Sequence, residues 1–231
     1  MKRSYFVVSC IFLLCVGCSS RGFDRGDLRK QIGVAEPVVD EEAIAEALSK
    51  KPNLPKSFRL AVYYKENTQT HWRASRWRWQ EQDKKIFDKV AKKLKSEGVV
   101  SQVIPIVSSV VQGDDLKSIR LAAARHGADA VLVIGGVADV DRYINDLGWT
   151  YTLILPTLFM PGSQADSLFI VNATLWDVRN EYLYATAEAE GLHEQTYVAA
   201  FGDEDKELIA KAKTSALESL SKEFEKMVIT Q

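Results

Sequence analysis

The chain of 231 residues carries 30 Lys and Arg against 31 Asp and Glu, a formal net charge of -1, with 46% hydrophobic and 10% aromatic residues. That balance excludes the broad basic field that nucleic-acid binding needs, and the apolar content is that of an ordinary globular domain. All three cysteines, Cys10, Cys15 and Cys18, fall within the first 18 residues, so the remainder has no disulfide, cysteine nucleophile or thiolate metal site.

Met1-Lys2-Arg3 is a short basic start, and Tyr5 to Gly17 follows without a charge, rich in Val, Phe, Leu and Ile. A basic start, a short apolar run and a small-residue exit mark a secretory signal. The run is shorter than the roughly 20 residues of a permanent membrane helix. Leu14-Cys15-Val16-Gly17-Cys18 resembles the bacterial lipobox, with Cys15 standing as a small hydrophobe where that pattern prefers Leu. The resemblance implies a signal peptide over 1–17, cleavage before Cys18, and acyl chains (palmitate among them) on that cysteine. An uncleaved apolar N-terminus, or cleavage by the ordinary signal peptidase, are the other readings of the same run. Ser19 after the cysteine, rather than Asp, resembles outer-membrane sorting in enteric-type bacteria, which implies a lipid-anchored protein facing the periplasm.

Residues 18–56 read as a lipidated N-terminus and tether with a short helix. Ser19 to about Val39 has glycines at Gly22, Gly26 and Gly33 and mixed charge. Asp40 is a predicted N-cap, Glu41 and Glu42 suit a first turn, Lys50-Lys51 a last one, and Pro52 a stop. Ile44, Ala47 and Leu48 sit at helical spacing.

Residues 57–231 read as one globular domain. Phe58 to Tyr64 alternates as a strand. Gln80 to Glu97 is helical, its stripe Ile86, Phe87, Val90 and Leu94, with Gly98 as C-terminal cap. Val99 to Ser108 is a strand that Pro105 places at or near a sheet edge. Asp114 is read as the cap of a helix over Leu116 to His126, ended by Gly127. Ala130 to Val140 is a nearly continuous apolar strand, hence central and covered on both faces. Trp149 to Met160, Ser167 to Asp177 and Tyr182 to Glu190 read as successive strands of a meander, and Asp203 as the cap of a long closing helix. The predicted class is α/β (α+β): a single domain with a mixed sheet of about six strands and three helices, in the order β-α-β-α-β-β-β-β-α, the helices packed on one face.

Two stretches, His126-Gly127-Ala128-Asp129-Ala130-Val131-Leu132-Val133 and Val171-Asn172-Ala173-Thr174-Leu175-Trp176-Asp177-Val178, follow the cysteine-anchored start, with Pro161-Gly162 between them. This pattern resembles the rhombotarget lipoproteins, small proteins of the bacterial envelope. It is more loosely similar to curli secretion-channel lipoproteins and penicillin-binding-protein activators. The resemblance implies a non-catalytic envelope role and supplies no active-site residues.

Chemical motifs are sparse. His193-Glu194-Gln195-Thr196-Tyr197 has Tyr where a zinc protease needs its second His, and His71 and His126 show no metal spacing. Neither a serine-hydrolase elbow nor a phosphate loop is present. Gly135-Gly136 reads as a bulge or a close backbone approach. Asp139, Asp141 and Asp146 lack the Gly and closing Glu of a calcium loop and read as solvated acids. No cofactor, metal or enzymatic activity is expected.

Two features stand out. His71 to Trp79 packs three Trp and three Arg into nine residues. Trp72, Arg73, Arg76, Trp77, Arg78 and Trp79 form a candidate interaction surface for anionic groups or a lipid interface; on a helix Trp72, Arg76 and Trp79 would share a face, with Arg73 and Trp77 beside it. The alternative is a helix start whose indoles cover the sheet while the arginines reach water. Trp149 to Met160, without a charge, reads either as a core strand or as a partner-binding hairpin. The expected function is a lipid-anchored, non-catalytic binding or scaffold protein with a protein partner in the envelope and no nucleic-acid partner. An oligomeric assembly subunit (a homo-oligomer included) using 149–160 is the alternative, and an envelope-polymer hydrolase a third.

Overall fold

A computed structural model describes residues 22–32, 40–66, 77–113, 115–144, 163–197 and 205–230. In chain order it places α1 (Arg25–Ile32), α2 (Glu41–Ser49), β1 (Phe58–Tyr64), α3 (Glu81–Ser96), β2 (Val100–Ile106), a 3-10 turn (Ser108–Val110), α4 (Leu116–Arg125), β3 (Ala130–Ile144), β4 (Ser163–Asp177), β5 (Leu183–Tyr197) and α5 (Asp205–Thr230). The class is α+β with one mixed sheet, as the sequence predicts. By contact the chain divides into a large unit, Asp24–Val140 with Ser167–His193 and Asp205–Gln231, and a small one, Met1–Phe23 with Asp141–Asp166 and Glu194–Glu204.

Local chemistry sets most element ends. Asp40 Oδ1 accepts the Ala43 amide at 2.8 Å and opens α2 as predicted. Gln80 and Asp83 form a reciprocal capping box at the start of α3, and Gly98, at φ +75°, terminates it. The cap of α4 is Asp115, one residue beyond the predicted Asp114, with its carboxylate on the Ser118 amide at 2.9 Å. His126 closes α4, its Nδ1 2.8 Å from the Ala122 carbonyl, as a last-turn residue should.

The strand order is β2-β1-β3-β4-β5, and β1 runs parallel to both β2 and β3. Pro105 therefore sits on an edge strand, where its missing amide breaks no inner ladder. β4 and β5 form a hairpin around 178–182. Five strands make up the described sheet rather than about six: β3 runs on to Ile144, β4 starts at Ser163, and the predicted strand over Trp149 to Met160 lies outside the described residues. The three helices predicted for 57–231 are α3, α4 and α5, and the short helix predicted near residue 40 is α2. α1 goes beyond the prediction.

One expectation is corrected. The helices cover both faces of the sheet, not one. Leu60, Leu132, Ile134 and Phe169 pack with Phe87, Val90 and Leu94 of α3 and with Ile209, Ala212, Leu220 and Phe224 of α5. Ala61, Tyr63, Val131 and Val133 pack on the other face with Ile119, Ala122 and Ala123 of α4. Handedness is the cause. The crossover β1-α3-β2 steps one way along the sheet, while β2-α4-β3 steps back past β1. By the rule that crossovers between parallel strands are right-handed, reversing the step puts α4 opposite α3. The unbroken apolar run of β3 is the matching sequence signal.

On the α3/α5 face, Gly191 lets α5 approach the sheet backbone: a Cβ there would lie 2.0 Å from the Ala212 carbonyl oxygen. On the other face, α1 begins where Asp24 Oδ1 accepts the Asp27 amide at 3.0 Å, and it buries Leu28 and Ile32.

Candidate interaction site

The connection from β1 to α3 carries the Trp/Arg run. It leaves β1 at its carboxyl end, between crossovers that depart to opposite faces, the position at which open parallel sheets present a crevice to ligands. Trp72, Arg73 and Arg76 lie outside the described residues. The remainder is placed, and it departs from the expected helix face, because α3 starts only at Glu81. Trp77 is 8% exposed and part of the core. Its ring meets Phe169 and Trp79 edge-on, both at 4.8 Å between centroids. Trp79 stacks edge-on with Tyr64 at 5.2 Å and donates its indole N–H to the Lys65 carbonyl at 2.8 Å. Of the three described members, only Arg78 is exposed. As a surface, then, the reading is corrected at Trp77 and Trp79: Trp77 belongs to the core cluster and Trp79 packs against it. Gly136 makes the space, since a Cβ there would come within 2.7 Å of Phe169 and 3.2 Å of Trp77. The predicted close approach at Gly135-Gly136 is thereby found.

Beneath the indoles lies an ion pair that the sequence reading misses. Lys213 of α5 and Asp83 of α3 are 2% and 1% exposed, with Nζ and Oδ2 2.6 Å apart. Lys213 Nζ also donates to the Arg78 carbonyl at 2.8 Å and sits 5.7 Å and 6.0 Å from the Trp77 and Trp79 ring centroids, within cation–π range. Asp83 Oδ2 accepts the Gln80 amide at 2.7 Å. The Trp77 indole nitrogen and Asp83 Oδ1 are buried and have no hydrogen-bond partner among the described residues. Burial, followed by the nearby Asp88, Asp83 and Glu81, raises the Tyr64 hydroxyl above its usual range, so it stays protonated. The signal for Lys213 was available: it lies one turn after Ile209 and one turn before Leu217, inside the apolar stripe of α5.

A second polar cluster forms where the two motif stretches meet. Asp129 takes the Arg59 amide at 2.9 Å and Arg179 Nη2 at 3.0 Å, and its own carbonyl accepts the Val178 amide at 3.0 Å. Burial pushes the Asp129 carboxyl up, but the hydrogen bonds from Arg59 and Arg179 outweigh it and hold the group below the usual range. Asp177, fully buried, accepts the Arg179 amide at 2.7 Å and the Tyr184 hydroxyl at 3.2 Å. Arg120 pairs with Glu181 and donates to the Val178 carbonyl at 2.9 Å. Glu181 takes φ 62° at the hairpin turn. These residues fasten strand ends and a turn together.

A third set holds α1. Arg29 Nε meets Glu188 at 2.6 Å, Arg29 Nη2 meets Glu190 at 2.6 Å, and Arg25 Nε meets Glu190 at 2.8 Å. The Asn172 amide reaches the Ile32 carbonyl at 3.5 Å.

In the small unit, Asp141 accepts the Gly22 amide at 2.9 Å. Tyr143 donates to Asp166 at 3.0 Å, and burial together with that bond pushes its hydroxyl up to about 12. Asp139 accepts the adjacent Val140 amide at 2.9 Å, and Asp146 lies outside the described residues. Among the described residues no group of three or more His, Cys, Asp or Glu is placed to hold a metal. Cys18 also lies outside them.

No protein-family model and no curated protein matches the chain. Solved structures do. A point variant of the PelC dodecamer from Paraburkholderia phytofirmans is 15% identical over 78% of this chain and 95% of its own, with a TM-score of 0.33. A minor lipoprotein from Acinetobacter baumannii is 10% identical over 77% and 94%, with a TM-score of 0.34. A neuraminyllactose-binding hemagglutinin homologue from Helicobacter pylori is 11% identical over 87% and 97%, with a TM-score of 0.41.

Proposed function

We propose that this protein is a bacterial envelope lipoprotein, lipidated on Cys18 and anchored in the outer membrane facing the periplasm, that works as a non-catalytic binding or scaffold protein. The observation that carries the reading is the N-terminal run: a basic start, an uncharged apolar stretch, and Gly17-Cys18 at its exit. No helix among the described residues is long and apolar enough to cross a membrane. A single acyl chain binds membranes marginally, whereas several together anchor firmly.

Two features of the large unit favour contact over chemistry. Trp77 and Trp79 pack into the core beyond the end of β1, and the motif acids Asp129 and Asp177 are engaged in pairing and turn formation. The partner is another envelope protein, with the exposed Arg78 as the described end of the basic run that faces it.

Metabolic labelling with a palmitate analogue tests the anchor. Cys18→Ser is expected to lose the label and to accumulate as unprocessed precursor or soluble protein. Label retained in the serine variant refutes the assignment.

A further inference from the structure

We propose that α1 is a releasable strap: docked, it clamps the anchor-proximal chain to the sheet, and released, together with the Gly22–Asp141 hydrogen bond, it uncovers a mixed strip of β3–β5 and lengthens the anchor. The lengthening, though not the docking, rests on lipid attachment at Cys18.

The first support is size. α1 has eight residues, and isolated helices shorter than about 12–15 residues are marginal in water. Its helical state therefore depends on docking, so undocking and unwinding are one event. The second is the kind of contact that holds it. Leu28 and Ile32 are its only buried residues. Its charged contacts to Glu188 and Glu190 are all exposed, with side chains 28–45% accessible. Exposed pairs are weak and screened by salt. The third is the strip it contacts. Asn172, Glu188 and Glu190 present polar groups beside α1, while Val137, Leu168 and Ile170, on the same strand faces by alternation, are buried and apolar, so release leaves a mixed strip that a partner must cover. A partner bearing its own arginines or lysines competes with Arg25 and Arg29 for the same two carboxylates.

Release changes reach. With α1 docked and the Gly22 amide held by Asp141, four steps of chain lead from Cys18 to Gly22, at most roughly 14 Å. With α1 free and the Gly22–Asp141 hydrogen bond broken, the next fixed points are Lys51, whose carbonyl accepts Asn180 Nδ2 at 2.7 Å, and Asn53, whose amide meets the Tyr184 hydroxyl at 2.6 Å. The span then grows to roughly 90 Å with α2 still helical.

Hydrogen exchange on the full-length protein in detergent, read by mass spectrometry, tests the strap. Peptides covering 25–32 should exchange more slowly than an unstructured chain in the parent. In the Glu188→Gln/Glu190→Gln variant they should exchange about tenfold faster, the combined worth of three exposed ion-pair contacts, and the same acceleration should appear in the parent at high salt. Peptides of α5 should not change. Swapping the charges (Arg25→Glu and Arg29→Glu with Glu188→Arg and Glu190→Arg) should restore protection. Exchange at 25–32 that is already unprotected in the parent, or that ignores both salt and the variant, overturns the proposal. So does acceleration shared by α5, because the strap then does not move separately. Running Cys18→Ser in parallel separates the two readings: unchanged protection at 25–32 in that variant with label still present sinks the lipid assignment and leaves the strap.

Discussion

Two ion-pair systems in the large unit join the same kinds of group and differ in almost everything else. Lys213–Asp83 is buried between α3 and α5 beneath two indoles, with Nζ donating also to a main-chain carbonyl. Arg25 and Arg29 meet Glu188 and Glu190 in water. In the buried pair, neither charge has solvent to fall back on, so each requires the other and the pair fixes one geometry. In the exposed pair, solvent replaces the partner at little cost. The difference assigns roles: the buried pair sets where the 77–80 segment lies, and the exposed pair leaves α1 free to depart.

Removing one member of the buried pair should have the largest effect. Lys213→Met leaves Asp83 buried and is expected to cost about 3–5 kcal/mol. For a chain of this size that is a fall in Tm of roughly 10 °C by thermal melting. Lys213→Met combined with Asp83→Asn should recover part of the loss, because no uncompensated charge remains. A single variant that melts like the parent would dissolve the contrast.

An intermediate effect is expected at Asp129, which is buried yet bound by two partly exposed arginines. Its pKa is depressed in the folded state, so its contribution is full above the unfolded value, about 3.9, and is lost as pH falls through the lower folded value. Asp129→Asn should lower neutral-pH stability by about 1–3 kcal/mol and flatten the acid side of the stability curve below pH about 4. Denaturant titrations across pH give both readings, and an acid limb identical to the parent's would remove Asp129 from the account.

The smallest effect belongs to the exposed pairs. Glu188→Gln/Glu190→Gln should shift global stability by no more than about 1 kcal/mol, since only α1 loses its charged contacts. A drop as large as that of Lys213→Met would place α1 inside the cooperative unit.

Legibility from sequence followed locality. β1 falls on its predicted bounds because alternation over Phe58–Tyr64 is a property of neighbours, and α3 ends at Gly98 because only that residue takes φ +75° cheaply. The α4 cap was missed by one residue because Asp114 and Asp115 are chemically equivalent, and only the placement of Ser118 chooses between them. α1 was hidden by its shortness and its glycine-bearing flank: eight residues with two apolar positions give almost no periodic signal. The Trp/Arg run was the hardest case, since indoles at helical spacing serve a surface or a core equally well until Gly136 and Phe169 are seen beneath them.

The sequence by itself determined the β-α-β-α-β order from β1 to β3, the class, the edge position of β2 and the central position of β3, all of which follow from nearest-neighbour chemistry and from rules on what an unbroken apolar strand requires. Tertiary structure alone decided that α4 lies opposite α3 and α5, that Lys213 meets Asp83, and that α1 rests on β5. Each of these joins residues far apart in the chain, and a contact of that kind is chosen by crossover handedness and by which groups must share a dry interior, neither of which is written in any one segment.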